Sequence, residues 1–273
     1  MAGKQFWIQT CEGLCNRFRV LLSAIGFCEM TNRELVICWP LSKGGKLRPL
    51  VTGESHKRFQ AGLSDLWVHP YREVGRKEWK KMCRKPSSVE ASVPPDPGSD
   101  APILYLNTYE HFFHNLPHTP RQYASRLELI PELHDRVERF SGAYFTGTPQ
   151  IGIHIRHHKA HEFTTTHSPV SWFVGRMGEL QALYPQAGFF LSTDSSDLSE
   201  RFSKRFPGLM REQCTPPGFN TREGIQKGLV DLYLLARTDY ILGSYFSSFS
   251  EMALWLQGEK GYEDAQRRVG SLP

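Results

Sequence analysis

The chain has 273 residues, 40% of them hydrophobic and 22% charged, enough to bury one large core or two modest ones and far from a disordered composition. No apolar run reaches bilayer-spanning length and no signal-peptide segment precedes the first strand-like stretch, so a cytoplasmic protein is expected. The formal net charge of +5 reads as modest and spread out, which disfavours nucleic acid as a partner and suits a small anionic ligand.

In chain order, "KQFWIQT" reads as a strand, and Leu14, Phe18, Leu21, Leu22, Ile25 and Cys28 recur at helical spacing after Glu12-Gly13. "ELVICWP" is a second strand, closed by Pro40. Residues 41–102 read as an irregular insertion, and "PSSVEASVPPDPG" within it as an exposed or disordered loop. Inside that region "RKEWKKMCRK" (76–85) is either a solvated helix face or a basic face for peripheral membrane attachment. "APILYLN" resumes strand character, and "SRLELIPELHDRVERFSG" is mostly helical.

From residue 151 the alternation is regular. A strand over 151–156 precedes a helix from about Val170 that ends before Pro185; "GFFLSTD" is a strand with a helix behind it through Leu198, Phe202 and Phe206. Ile225, Leu229, Leu232, Tyr233 and Ala236 form a helical stripe, "DYILGS" a short strand, and "SFSEMALWLQG" a last helix stopped by Gly258. Strands alternating with helices imply an α/β fold whose mostly parallel sheets are covered on both faces and bind ligands beyond the carboxyl ends of their strands. The six cysteines lack C-x-x-C spacing and are expected as free thiols.

Three strand ends, "HIRHHK" (154–159), "STD" (192–194) and "GSYFSS" (243–248), should therefore open on one edge. Arg156 offers a planar fork for phosphate oxygens, Ser247 and Ser248 stand where a helix N-terminus holds anions, and Asp194 can accept from a base or a sugar hydroxyl. Together they suggest a nucleotide carrying a diphosphate. Neither G-x-G-x-x-G nor a Walker loop occurs, and the lack of Asp-x-Asp turns the search for countercharge from a divalent metal to arginine and a helix terminus. Plainer readings stand beside these: His154 as a hydrogen-bonded strand residue, Arg156 as an ion-pair partner, Ser247 and Ser248 as a cap, Asp231 as a solvent-facing or capping helix residue, and the histidines as zinc ligands.

Four segments together resemble the fucosyltransferase superfamily that includes the nodulation and α-1,6-fucosyltransferases and, more distantly, the protein O-fucosyltransferases. "GLCNRFRVLLSAIGFCEMTNRELVICWP" (13–40) is similar to the family's Gly-x-Gly-Asn loop and helix, "GIHIRHH" to its His-x-Arg motif, "FFLSTDSSDLSERFSKRFPG" to its Thr-Asp strand, and "GLVDLYLLARTDYILGSYFSSFSEMALWLQ" to its last motif. "HSPVSWF" (167–173) is similar to the segment that follows the arginine in the nodulation enzymes.

The resemblance implies a GT-B-type fold of two Rossmann-like domains, here 1–148 and 149–273, facing a cleft that admits a carbohydrate acceptor. It implies inverting transfer of fucose from GDP-fucose to a glycan or lipid-linked oligosaccharide, with no metal or other cofactor. By position, Arg156 would hold the β-phosphate with His154 beside it. His157, Thr193, Asp194 and Asp231 would contact or support the nucleotide, Ser247 and Ser248 would bind phosphate oxygens, and Asn16 with Arg17 would face the donor. The chain departs from the family in having Cys15 for a glycine, and His158 and Lys159 where a carboxylate often follows the arginine. Glu162 is the nearest acid and the candidate general base, with His157 and His161 as alternatives. The missing carboxylate also admits a catalytically silent sugar-nucleotide or glycan-binding module on the same fold, and another nucleotide sugar could replace GDP-fucose.

Overall fold

A computed structural model describes residues 3–41, 59–146, 149–157, 162–212, 218 and 220–271. They form two compact units, Met1–Ile130 with Asn220–Ile225, and Pro131–Phe219 with Gln226–Pro273. The expected boundary at 148/149 falls inside the second unit.

The first unit contains β1 (Gln5–Thr10), α1 (Leu14–Thr31), β2 (Glu34–Cys38), β3 (Trp67–Val68), β4 (Arg72–Glu73), α2 (Arg76–Cys83), β5 (Ser88–Glu90), β6 (Ile103–Thr108), α3 (Pro120–Ala124) and β7 (Glu128–Leu129). Five of its strands pair in the order β4-β2-β1-β6-β5, all parallel. Phe6, Trp7 and Ile8 are consecutive and all buried, as a strand covered on both faces requires. Helix α1 ends where Asn32 turns left-handed and its N–H donates to the Cys28 carbonyl. Trp79 and Met82 of α2 pack on Trp7, Val36 and Cys38.

Two expectations for this unit are corrected. The described part of 41–102 is not a mere insertion: it supplies both edge strands, β4 and β5, and the helix between them. "PSSVEASVPPDPG" begins with strand β5, whose Ser88, Val89 and Glu90 pair with Ile103, Leu104 and Tyr105. These pairings were illegible locally because two- and three-residue strands carry no usable period.

The second unit contains α4 (Pro131–Tyr144), β8 (Gln150–Ile155), α5 (Glu162–His167), α6 (Val170–Leu183), β9 (Gly188–Thr193), α7 (Ser196–Arg205), most of α8 (Arg222–Ala236), β10 (Tyr240–Leu242), α9 (Ser248–Gln257), β11 (Gly261–Glu263) and β12 (Arg268–Gly270). The stretch expected to be helical from Ser125 becomes α4 only at Pro131, because Glu128 and Leu129 pair with Val68 and Trp67. The sheet runs β12-β11-β10-β8-β9, parallel except for β12. Ile151, Ile153 and Ile155 face Phe173, Met177 and Leu180 of α6 and Leu198 and Phe202 of α7. Gly152 and His154 point to the other face.

After β8 the chain adds β9 on one side and β10 on the other, so the strand order reverses between β8 and β10. In doubly wound sheets the carboxyl ends of the strands at such a reversal are the usual ligand position. Among the described residues no helix is long and apolar enough to cross a membrane, and all five described cysteines are free thiols. Cys214 lies outside the described residues.

Gly243, which directly follows β10, is held to glycine by packing. A Cβ there would collide with the ring and the hydroxyl of Tyr262, which is buried. Gly243→Ala should therefore lower the stability of the chain by about 1–3 kcal/mol, read as a reduced urea midpoint.

Candidate functional site

The carboxyl end of β8 is built by a serine pair. The Arg156 backbone N–H donates to Ser244 Oγ (2.9 Å), whose hydroxyl donates to the His154 carbonyl (3.1 Å). The Ser244 N–H in turn donates to Ser250 Oγ (2.9 Å), which shares a 2.7 Å hydrogen bond with His154 Nδ1. These four contacts join β8, the β10–α9 loop and α9 in one closed set. His154 is 5% exposed and its ring stacks on Phe249 at 4.6 Å. Burial, helped by the nearby Arg156 charge and opposed by Asp194, pushes its pKa down to about 3, so the imidazole is neutral at ordinary pH.

Beyond this set stands Arg156. Its Nη1 donates to Asp194 Oδ2 (2.6 Å), and Asp194 Oδ1 accepts the His157 N–H (2.7 Å). One carboxylate thus fixes both the guanidinium and the backbone that leaves β8. The ion-pair reading of Arg156 is correct as far as Nη1 goes; Nη2 and Nε have no partner among the described residues. Thr193 Oγ1 accepts the Ser195 N–H (3.3 Å), which shapes the turn into α7.

Across the strand reversal, α9 begins at Ser247. Its hydroxyl makes no capping bond, so the plain cap reading fails for the side chain. The hydroxyls of Ser247 and Ser248 have no partner among the described residues, and both residues are half-buried. Unpaired N–H groups and the positive end of the helix dipole add to them. Phe246, just before, adopts φ 57 and is 79% exposed; the bulky residue is strained there, and the turn brings the Tyr245 N–H to Ser168 Oγ (2.7 Å).

Other expected site residues serve as supports. Asp231 is 3% exposed, accepts from Ser192 Oγ (2.9 Å) and from Lys227 Nζ (2.7 Å), and its pKa is raised by burial. It lies beneath β9, where it cannot face solvent or touch a nucleoside, and its Oδ1 finds no partner. Asp194 accepts from Arg156 and from the His157 N–H, which makes it a support of the arginine. His154 is likewise a positioning residue, since a buried neutral ring bonded to Ser250 is not placed for proton exchange with a substrate.

Glu162 is exposed and opens α5 instead of lying in a loop. His158, Lys159 and His161 lie outside the described residues. Among the described residues no group of three His, Cys, Asp or Glu side chains could hold a metal ion.

In the first unit Asn16 sits in the first turn of α1, its Oδ1 accepting from Arg19 Nη2 (2.7 Å). Arg17 is 2% exposed, donates to the Glu12 and Pro40 carbonyls (2.9 and 3.1 Å), and lies 4.1 Å over the Phe59 ring. Burial lowers its pKa to about 10, so it stays charged. Arg17 clamps the ends of β1 and β2 and does not face a ligand, which corrects its expected role.

Ser244, Ser250 and Ser168 escaped sequence reading. For Ser250 a signal existed: it is one of two polar residues, with Gln257, among the buried positions of α9 that Met252, Ala253 and Leu254 also fill.

Neither the comparison with family models nor that with curated proteins gives a match. Solved structures do. NodZ alpha-1,6-fucosyltransferase soaked with GDP-fucose shares 19% identity at a TM-score of 0.63, over 93% of this chain and 92% of that one. FUT1 of Arabidopsis thaliana in complex with GDP shares 15% at 0.62, over 96% and 70%. POFUT1 in complex with GDP-fucose shares 13% at 0.53, over 92% and 95%. The chain therefore has the mixed α/β fold, with mostly parallel sheets, seen in these fucosyltransferase structures.

Two outcomes follow from the closed set. Ser250→Ala strands the Ser244 N–H and His154 Nδ1 and should cost about 1–3 kcal/mol in urea unfolding. Because the folded pKa of His154 is depressed, only the unfolded chain takes up its proton between about 6.5 and about 3, and stability falls as pH falls through that window. The urea midpoint of His154→Gln should accordingly drop less than that of the parent between pH 6.5 and about 5.

Proposed function

We propose that the protein is an inverting glycosyltransferase that moves fucose from GDP-fucose to a glycan or lipid-linked oligosaccharide. The observation that carries this is the reversal of strand order between β8 and β10, with the groups that follow those two strands. Arg156, whose Nη2 and Nε have no partner among the described residues, follows β8, and Ser247 and Ser248, whose hydroxyls have none there either, open the helix after β10. The fold likeness to structures holding GDP or GDP-fucose supports it. In this reading the two units are the halves of a GT-B-type enzyme.

The chemistry follows from charge. An acceptor hydroxyl oxygen attacks the anomeric carbon from the side opposite the diphosphate. The carbon–oxygen bond to the β-phosphate breaks, its electron pair stays on the phosphate, and the configuration inverts. Negative charge grows on that oxygen as the bond breaks, so Nη2 and Nε of Arg156 bind the transition state more strongly than the donor. Asp194 keeps the fork aimed, and its second oxygen, held by the His157 N–H, anchors it if the diphosphate draws Arg156 away. Ser247, Ser248 and the N-terminal N–H groups of α9 take the remaining phosphate oxygens. Countercharge comes from these groups, so no divalent metal is required. The acceptor proton passes to Glu162 or, in a loose transition state, to the departing phosphate oxygen.

The pairing of Arg156 with Asp194 gives the binding-module reading its one specific support, since part of the arginine's charge is already neutralised. GDP release separates the two. With excess EDTA the parent should release GDP from GDP-fucose, and Arg156→Ala should lower kcat/KM by about 10²–10³-fold. Tight GDP binding with no release under any acceptor would leave only the module. By calorimetry GDP should bind more tightly than UDP, ADP or CMP, and Ser247→Ala should weaken GDP by about 3–10-fold; equal weak binding of all four would overturn the donor assignment.

A further inference from the structure

The net charge is not spread over the chain as composition suggested. Residues 72–85, "REVGRKEWKKMCRK", hold seven basic and two acidic side chains, a net of +5, which equals the net of the whole chain at 33 basic against 28 acidic. The other residues together are neutral. All seven cations, Arg72, Arg76, Lys77, Lys80, Lys81, Arg84 and Lys85, are exposed. Arg72 pairs with Glu78; the other six have no acidic partner among the described residues.

Helix formation does not account for them. Lys80 and Lys81 suit the last turn of α2, but Arg76 and Lys77 stand in its first turn, where the helix dipole disfavours cations. The helix is instead held by its apolar side, with Trp79 and Met82 buried against the sheet. Its only aromatic side chain is therefore unavailable for stacking on a base. An eight-residue helix is about 12 Å long, comparable to the ~8–10 Å Debye length, so its charges act together on any surface laid against it. Two exposed apolar residues follow, Val89 and Val93, at 48% and 38%. Strand β5, which carries Val89, is tied to the end of α2 by Ser88 Oγ donating to the Met82 carbonyl (2.8 Å). Uncommitted, mostly lysine charge beside exposed valines fits a lipid surface better than a nucleic-acid groove.

We propose that α2 and the residues flanking it form a docking face for an anionic phospholipid bilayer. This is independent of the sugar-transfer reading. The test is co-sedimentation of the full chain with vesicles of phosphatidylcholine alone or with 30% phosphatidylserine. The chain should pellet with the anionic vesicles at low salt, be released by high salt, and ignore the neutral ones. The triple variants K77Q/K80Q/K81Q and K77E/K80E/K81E should keep the parent's circular dichroism and thermal midpoint, while the apparent partition coefficient falls roughly a hundredfold or more. Equal binding to both vesicle types, binding to neither, or binding undiminished in both folded variants would overturn the proposal. So would retention by a 20-base-pair DNA duplex without binding to the anionic vesicles, which would assign the face to polyphosphate chains.

Discussion

Everything at the proposed donor site depends on Ser244 and Ser250 closing the gap between β8, the β10–α9 loop and α9. A reversal of strand order opens a crevice because neighbouring connections leave in opposite directions. It also leaves backbone groups at the strand ends without ladder partners. Here the Arg156 N–H, the Ser244 N–H and the His154 carbonyl are all satisfied by two hydroxyls and a neutral imidazole. The strand ends are thus tied in place although they lack ladder partners. An anion site at such a position benefits, because donors already aimed cost no reorganisation when charge develops.

Burial then sorts the polar residues into two kinds. His154, Asp231 and Arg17 are each nearly inaccessible, and each spends its polar atoms on structure. His154 holds α9, Asp231 holds Ser192 and Lys227, and Arg17 holds two strand ends. Arg156, Ser247 and Ser248 are only part-buried and keep uncommitted donors. Asp194 belongs between the two kinds, since its described contacts are internal but aim the group that would meet a ligand. A charged residue in a motif can thus be essential without touching substrate, and kinetics alone would not tell the two kinds apart.

The proposed donor site and the proposed α2 docking face draw on different physics. At the proposed donor site one guanidinium, two hydroxyls and a helix terminus would act on one diphosphate, where hydrogen-bond geometry gives strength and selectivity. Along and beside α2, six cations without an acidic partner among the described residues spread over an exposed surface, where salt screens each one and only their sum matters. That contrast is invisible to a net charge of +5.

The sequence by itself determined the alternation of strands and helices in the second half, the motif-bearing strand ends and the apolar faces of α1, α6, α7, α8 and α9. Period and capping are local properties, so a 14-residue helix or a six-residue buried strand is legible from its own residues. Strands β4 and β5 were not, being two and three residues long and defined only by what they pair with. Nor were the roles of Arg17, Asp194 and Asp231, because a charged side chain reads the same whether it points at a ligand or at a carbonyl. Only the tertiary structure decides that, by bringing partners 23 to 39 residues apart within hydrogen-bond distance and removing water from some of them.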